Sequence, residues 1–194
     1  MKKRIMLVED ESIVRLDIAM MLKDAGYEII GEAGDGEKAL ELLHTLTPDL
    51  IIMDIKMPKL NGLKASEIIT NKYNIPILLL TAYSQQEFID KAKMSNILGY
   101  LVKPVSEQNL IPAVEIAFKQ AENNALYKAK IDEMNDKLKN RKSIEKAKGL
   151  LMEKLSLSED DAYKRIRKIS MNKQVTIEKV AKQILIKYGS KKYY

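Results

Sequence analysis

The chain contains no cysteine among its 194 residues and only one histidine, His44. The lack of cysteine excludes a disulfide framework and a thiolate metal site. It also suits a protein of the reducing cytoplasm. No motif accompanies His44, so we expect this residue to be structural or solvated rather than catalytic.

Long hydrophobic runs are also missing, and no apolar stretch reaches the length that a membrane span needs. The motif Lys2-Lys3-Arg4, followed by an apolar run over 5–8, is similar to the start of a signal peptide. The acidic residues at 9–11 make that run too short, so no signal peptide is predicted. We therefore expect a cytoplasmic protein with no membrane partner.

Charge is unevenly divided along the chain, whose net charge is +6. Residues 1–108 hold 13 Lys and Arg against 16 Asp and Glu, whereas residues 109–194 hold 20 against 11. An acidic part joined to a basic part predicts two domains, the second of which meets a polyanion. A basic surface that is merely solvated would give the same counts, so charge alone leaves nucleic-acid binding open.

Apolar runs of strand length alternate with helical patterns five times in the first part of the chain. Strands are predicted at 5–8, 27–30, 50–54, 76–81 and 99–104, and helices at 12–25, 39–46, 63–73 and 85–95. This alternation predicts right-handed βαβ crossovers and an α/β fold, a doubly wound parallel sheet covered on both faces.

Polar side chains mark the ends of four of the five predicted strands: Glu9, Asp10, Asp54, Thr81 and Lys103. The carboxyl ends of parallel strands meet at one sheet edge, where neighbouring carboxylates repel one another and need a cation. Oxygen ligands without His or Cys favour Mg²⁺. A hydroxyl and a lysine near Asp54 would bind a phosphoryl group, with Asp54 as the nucleophile that forms an acyl phosphate. Each residue alone is common at a strand end, but the five together favour this function.

Residues 1–118 resemble a receiver domain of a two-component response regulator. The matching motifs are Val8-Glu9-Asp10-Glu11, Met53-Asp54-Ile55-Lys56-Met57-Pro58, Asn61-Gly62, Thr81-Ala82 and Lys103-Pro104. The resemblance implies a five-stranded parallel sheet in the order 2-1-3-4-5 and a cis peptide bond before the proline of the last motif. It also implies that a sensor histidine kinase phosphorylates Asp54.

The same resemblance assigns roles at the sheet edge. A Mg²⁺ site is implied at Glu9, Asp10, Asp54 and the backbone carbonyl of Lys56. Phosphate binding and switching are implied for Thr81, Tyr100 and Lys103, with Thr81 moving toward the phosphate and the Tyr100 ring turning inward. On this reading the protein is not an enzyme and catalyses at most its own phosphorylation and dephosphorylation.

Residues 119–141 are predicted to form a helical coiled-coil connector. The helical pattern begins near Leu110, and Pro112 is expected in its first turn. A seam with steps of three and four residues includes Tyr127, Ile131, Met134 and Leu138, which we predict to dimerise. The alternative is an amphipathic helix that packs on its own domain.

Residues 142–194 show three helical patterns, with candidate N-caps at Ser143, Ser158 and Thr176, and are predicted to form a small three-helix bundle. Composition leaves three functions open: a DNA-binding helix-turn-helix, an RNA-binding bundle or a protein-docking bundle. There is no glycine turn between the second and third helices, where Asn172-Lys173-Gln174 stands instead.

The amino-acid sequence of this region resembles that of the ANTAR family of RNA-binding transcription antiterminators. The motifs are Ile144 to Met152, Ser158-Glu159-Asp160-Asp161-Ala162-Tyr163, Arg165 to Met171 and Val180-Ala181, and the likeness begins near residue 125. It implies binding to paired hairpins in leader RNA, which expose bases and phosphates. The residues predicted to contact RNA are Ala147, Lys148, Gly149, Arg165, Arg167 and Lys168. Within this family, the chain resembles the antiterminators of amine or ethanolamine utilisation.

Together these patterns predict a response regulator that forms a homodimer when phosphorylated, binds a two-hairpin leader RNA and prevents transcription termination. Two modest sites joined in a dimer gain effective concentration on such a target. The alternatives are a DNA-binding response regulator with the same receiver domain, and a phosphorelay or docking protein without a nucleic-acid target.

Overall fold

The computed structural model describes residues 2–82 and 97–189 of the chain. The helix predicted over 85–95 lies outside these residues. The chain divides into two compact units, Met1–Ala125 and Leu126–Tyr194. None of the helices in the described ranges combines the length and the apolar composition that crossing a bilayer would require.

The first unit is built on five parallel strands: β1 (Arg4–Val8), β2 (Glu28–Ala33), β3 (Leu50–Asp54), β4 (Ile77–Thr81) and β5 (Ile97–Val102). Their spatial order is β2-β1-β3-β4-β5, which confirms the predicted fold class and strand order. The two strands β3 and β4 are buried along their whole length. Parallel strands with helices on both faces need such continuous apolar runs.

Three short helices follow the first three strands: α1 (Ser12–Asp24), α2 (Gly36–Leu42) and α3 (Gly62–Tyr73). The side chains of Asp35 and Asn61 cap α2 and α3 by accepting hydrogen bonds from backbone N–H groups of the first turn. Successive β1 residues point to opposite faces, so Ile5 and Leu7 join one apolar core and Met6 joins the other.

The fourth helix, α4 (Glu107–Leu155), runs for 49 residues. The predicted helix start at Ser143 is wrong, because its hydroxyl donates to the Lys139 carbonyl oxygen at 2.9 Å inside the continuous helix. Pro112 lies in the second turn rather than the first, because Ser106 initiates α4 earlier than predicted. The Ser106 carbonyl accepts from the Leu110 N–H at 2.8 Å, and the Asn109 side chain accepts from the Ser106 N–H at 2.9 Å.

The first part of α4 is held against the amino-terminal edge of the sheet. The Tyr27 hydroxyl donates to Glu115 at 2.5 Å, and its ring stacks on Phe118 at 5.9 Å between centroids. Burial, together with this acceptor, raises the pKa of the Tyr27 hydroxyl. The Lys3 ammonium lies 4.9 Å from the Phe118 ring centre and 2.9 Å from Glu122. We call these contacts the α4 anchor.

The second unit packs the end of α4 against α5 (Glu159–Lys173) and α6 (Ile177–Gly189). The buried core comprises Ala147, Leu151, Ala162, Ile166, Val180, Ala181 and Ile184. The predicted caps at Ser158 and Thr176 are confirmed, since their hydroxyls accept from the N–H groups of Asp161 and Lys179. Gln174 adopts a left-handed conformation with φ of 51°, which ends α5 without glycine.

Candidate functional site

Three carboxylates predicted at the sheet edge lie together in the structure. Strands β1 and β3 are neighbours, with Val8 opposite Met53, so Glu9 and Asp54 emerge side by side. The carboxylate oxygens of Glu9, Asp10 and Asp54 lie within 4.8 Å of one another. Glu9 and Asp54 are buried, whereas Asp10 is exposed. The cluster therefore consists of two buried carboxylates, Glu9 and Asp54, and one exposed carboxylate, Asp10.

Lys103, which directly follows β5, extends its side chain to the acidic cluster. Its ammonium lies 2.7 Å from Glu9 Oε2 and 2.9 Å from Asp54 Oδ2. The Lys103 backbone N–H donates to the Thr81 carbonyl oxygen at 2.7 Å, and the Lys103–Pro104 peptide bond is cis, as the resemblance implied. One ammonium thus contacts both buried carboxylates.

Burial and charge act in opposite directions on these groups. Burial, with the nearby Asp54 charge, raises the pKa of Glu9 despite hydrogen bonding to Lys103. Burial alone would lower the pKa of Lys103, but its hydrogen bonds to Glu9 and Asp54 outweigh that effect and raise it. With all four groups ionised, three acids and one lysine leave two negative charges in excess, which suits a divalent cation.

The loop after β3 forms the outer wall of the cluster. The Lys56 backbone N–H lies 3.4 Å from Asp54 Oδ1, and Lys56 and Asp10 line the same open groove of about 570 Å³. The loop is folded tightly onto α3, since the Gly62 N–H donates to the Ile55 carbonyl oxygen at 3.0 Å. A Cβ atom at Gly62 would lie 2.0 Å from the Asp54 carbonyl oxygen, so only glycine fits here.

The two residues predicted to switch lie on β4 and β5. Thr81 is buried at the end of β4, and its peptide carbonyl is held by Lys103. Tyr100 lies on the neighbouring strand β5 with 48% of its surface exposed. The structure therefore places Thr81 at the carboxyl end of β4 and leaves Tyr100 about half exposed.

In the second unit, the three residues of the first group of predicted RNA contacts differ in exposure. Ala147 is fully buried in the three-helix core, so its methyl group cannot itself contact an RNA in this structure. The Lys148 ammonium lies 2.8 Å from both Glu145 and Glu159, and its side chain is only 12% exposed. Gly149 has no atom within 4 Å of the position a Cβ would take, so it faces open space.

The second group of predicted contacts lies on α5 and is exposed: Arg165, Arg167 and Lys168. None of these three cations has an ion pair within residues 2–82 and 97–189. The buried face of α5 carries Ala162 and Ile166. Arg165 and Lys168, three residues apart, lie on one side of the exposed surface of α5, and Arg167 lies on the other flank. The exposed part of α5 therefore carries three cations without ion pairs in the described part of the chain.

The predicted dimerisation residues form one stripe on α4. Tyr127, Ile131, Met134 and Leu138 are all more than half exposed. Their spacing of four, three and four residues places them on one side of the helix. We call these four residues the apolar stripe.

Residues 5–115 match the family of response regulator receiver domains, and residues 132–185 match the ANTAR domain family. The chain belongs to the response regulators that carry an ANTAR domain. The receiver match includes the whole acidic cluster with Lys103, and the ANTAR match includes the cations of α5.

Curated relatives agree with this membership. The transcriptional regulatory protein PdtaR of Mycobacterium tuberculosis is 40% identical over 190 residues, which cover 98% of this chain and 93% of that protein. The chemotaxis protein CheY of Thermotoga maritima is 34% identical over 115 residues, covering 59% of this chain and 96% of that protein. The first relative therefore spans both domains of this response regulator, and the second spans the receiver domain.

Among solved structures, the N-terminal domain of a response regulator from Carboxydothermus hydrogenoformans is 33% identical with a TM-score of 0.59. It covers 63% of this chain and 99% of its own. The receiver domain of the response regulator NarL from Mycobacterium tuberculosis is 26% identical with a TM-score of 0.57, covering 61% and 97%. Both likenesses support the receiver fold.

Two charged contacts near the receiver site were not predicted from the sequence. Arg15 of α1 donates to the Glu9 backbone carbonyl, and Lys59, with φ of 59°, pairs with Asp35 at 2.7 Å. Hydrogen bonding to Lys59 lowers the pKa of Asp35. The only sequence signal for Arg15 was a basic residue one helical turn after the acidic motif. Its partner is a backbone group, which residue patterns do not reveal.

Proposed function

We propose that this response regulator accepts a phosphoryl group on Asp54 from a sensor histidine kinase, dimerises, and binds a two-hairpin leader RNA to prevent transcription termination. The proposal places the protein in the cytoplasm. Its own chemistry would be limited to its phosphorylation and dephosphorylation, so we do not propose a separate enzymatic activity. The likeness to antiterminators of amine utilisation stays a prediction.

The observation that carries the proposal is the setting of Asp54, a buried carboxylate at a strand end with an ammonium at 2.9 Å. In the proposed step, an Asp54 oxygen forms a bond to phosphorus while the phosphorus–nitrogen bond of a phosphohistidine breaks. The phosphoryl group leaves the imidazole and ends on Asp54 as an acyl phosphate. Lys103 is placed to neutralise charge on that group, which is the main catalytic requirement of phosphoryl transfer.

The acidic cluster also fits a resident Mg²⁺. Glu9, Asp10 and Asp54 supply hard oxygen donors, and the Lys56 carbonyl is proposed as a further ligand. When bound, Mg²⁺ would neutralise charge on the phosphoryl oxygens. The protein's part is to hold these oxygens together and to keep Lys103 opposite them.

Switching would begin at Thr81 and Tyr100. A phosphoryl group on Asp54 adds hydrogen-bond acceptors beside β4, toward which the Thr81 hydroxyl would move. The exposed ring of Tyr100 would then turn inward on β5. The half-exposed ring in this structure is what we propose for the unphosphorylated state.

Dimerisation is proposed through the apolar stripe. The stripe is flanked by charges, including an ion pair between Glu133 and Lys137 at 2.6 Å. Exposed apolar residues at heptad spacing between charged flanks suit pairing with a second copy of the same helix. Two ANTAR domains brought together would engage two RNA hairpins with an increased effective concentration.

RNA binding is proposed for the exposed surface of α5, where Arg165, Arg167 and Lys168 have no ion pairs in the described part of the chain. Guanidinium groups can bind phosphates in a bidentate manner and can stack on unpaired bases. Gly149 would allow close approach of the RNA to α4. The role of Lys148 would require RNA to compete with Glu145 and Glu159 for its ammonium.

The test measures dimer mass by light scattering and affinity for a two-hairpin RNA, with and without Mg²⁺ and beryllofluoride, which mimics a phosphoryl group. We expect the mimic to promote dimerisation and to tighten RNA binding, and Asp54→Ala to abolish both responses. If the receiver domain does not control RNA binding, the phosphoryl mimic will leave the affinity for RNA unchanged.

Two controls separate the alternatives. A duplex DNA of equal length that competes better than the hairpin RNA would favour a DNA-binding regulator. Arg167→Gln should reduce the slope of log affinity against log salt by about 0.7–0.9, as expected for one lost phosphate contact. Lys182→Gln on α6 serves as its matched control. If the purified wild-type protein binds neither RNA nor DNA, the result would instead favour a phosphorelay or docking role.

A further inference from the structure

We propose that Arg15 is a positioning residue that orients Asp10 for cation binding. Arg15 lies in the first turn of α1 with a side chain only 21% exposed. One guanidinium nitrogen, Nη1, donates to the Glu9 backbone carbonyl. The opposite side of the guanidinium is held by Glu32 of β2, with Nε 3.5 Å from Oε2. The fork of Arg15 thus connects the acidic loop to a neighbouring strand.

The contact acts on the peptide group that carries both acids. The Glu9 carbonyl and the Asp10 N–H belong to the same planar peptide unit, so fixing the carbonyl fixes the direction in which Asp10 leaves the loop. On its other side, the Glu9 N–H donates to the Ala33 carbonyl oxygen at 3.0 Å. Glu9 is therefore held by β2 through its N–H and by Arg15 through its carbonyl.

Asp10 depends on this support more than its two companions do. Glu9 and Asp54 are buried and contact Lys103, whereas the Asp10 side chain is exposed. Across the described parts of the chain, no hydrogen bond or ion pair holds the Asp10 carboxylate. The direction of the Asp10 side chain is therefore set by the backbone alone. The contact of Arg15 with the Glu9 carbonyl holds that backbone in place.

Electrostatics and positioning predict opposite effects when Arg15 is removed. Arg15 is a cation near a proposed cation site, so loss of its charge alone would tighten divalent ion binding. Loss of positioning would weaken it, because Asp10 would pay a larger ordering cost on binding. The sign of the change therefore distinguishes the two roles.

This inference rests on the proposed function, since it concerns the same acidic cluster. The experiment uses the full chain and Mn²⁺ as the probe, with free Mn²⁺ measured by electron paramagnetic resonance and bound Mn²⁺ displaced by Mg²⁺. We expect Arg15→Gln to bind Mn²⁺ about tenfold more weakly than wild type, the lower end of the range for losing a supporting partner outside the ligand set, because the lost positive charge partly offsets the loss of positioning. Arg15→Lys, which keeps the charge and one donor, should recover part of the affinity.

Lys23→Gln removes a lysine from the other end of α1 and is the matched control, with affinity unchanged. Glu32→Gln should weaken Mn²⁺ binding less than Arg15→Gln, because Nη1 of Arg15 can still donate to the Glu9 carbonyl. Part of that smaller loss would come from the removed negative charge of Glu32. At saturating Mg²⁺, the rate of Asp54 phosphorylation by a small acyl phosphate donor should return to the wild-type value in Arg15→Gln. A general loss of structure would not be corrected by metal in this way.

The outcomes separate this inference from the function on which it rests. Wild-type protein that binds no Mn²⁺ displaceable by Mg²⁺ would overturn the proposed metal site itself. Wild-type binding with equal or tighter binding by Arg15→Gln would overturn the positioning role and leave the site intact. Should Arg15→Gln fail to fold, Arg15→Lys and Glu32→Gln take its place. Mn²⁺ affinity equal to wild type in both variants would overturn the positioning role of Arg15.

Discussion

Gly62, the first residue of α3, offers a direct test of how Asp54 is held. A methyl group at this position would lie 2.0 Å from the Asp54 carbonyl oxygen and 3.1 Å from the Cα atom of Ile55. Both are backbone atoms, so no side-chain rotation can relieve the overlap. An ordinary contact would require the two segments to separate by more than about 1 Å.

The expected loss of stability can be worked from this overlap. Overpacking typically costs about 1–3 kcal/mol, and rigid opposing backbone places Gly62→Ala near the upper limit. Alanine returns at most about 1 kcal/mol through its higher helix propensity. The net loss of about 2 kcal/mol should lower the urea midpoint of the receiver domain by roughly 1 M. Phosphorylation of Asp54 should also slow, because the displaced carbonyl belongs to that residue.

The assay is urea unfolding followed by circular dichroism, with hydrogen exchange used to assign the affected domain. Gly149→Ala is the matched control, since nothing lies within 4 Å of its Cβ position in the interior of α4. That substitution should stabilise the ANTAR domain by about 0.5–1 kcal/mol. A receiver midpoint in Gly62→Ala that equals the wild-type value would refute the reasoning about close packing behind Asp54.

Burial raises the pKa of Glu9, so its ionised form is penalised in the folded receiver. Glu9→Gln should therefore raise the stability of the receiver domain at pH 7, seen as a higher urea midpoint than wild type. The gain in urea midpoint should vanish below the ordinary carboxyl pKa, where both states of wild type are protonated. Ser158→Ala should cost the ANTAR domain about 1 kcal/mol in thermal unfolding, whereas Ser143→Ala should cost nothing, because Ser143 caps no helix. Lys148→Met should change the salt slope of RNA binding less than Arg167→Met, and equal changes would contradict the ion pairing seen at Lys148.

Much of the receiver fold could be predicted from the sequence because four of the five strands end in, or directly before, a chemically distinct residue. Runs that are apolar on both faces predict parallel strands, and parallel strands bring their carboxyl ends to one edge. Asp54 and Lys103 are 49 positions apart, yet the pattern predicts both at that edge, and the structure places their charged atoms 2.9 Å apart. The strand order, in contrast, came from the resemblance to receiver domains, because periodicity alone does not say which parallel strands are neighbours.

The parts that could not be predicted depend on contacts that no periodicity records. Ser143 has the residue type of a helix cap, but its hydroxyl can also bond back to a carbonyl within a helix, and the pattern does not choose between the two. Ala147 and Lys148 stand in one motif, yet one is buried in the core and the other is paired with two acids. Which face of a helix is covered depends on its neighbours in space.

The α4 anchor bears on how this receiver could be exchanged as a module. A fragment cut after residue 118 would keep the Tyr27–Glu115 hydrogen bond but would leave Phe118 at a frayed chain end. It would also remove Glu122, the partner of Lys3. A fragment that extends through Ala125 keeps all of these contacts. Recombination between response regulators should therefore succeed more often when the crossover falls beyond Glu122, so that sheet and anchored helix are inherited together.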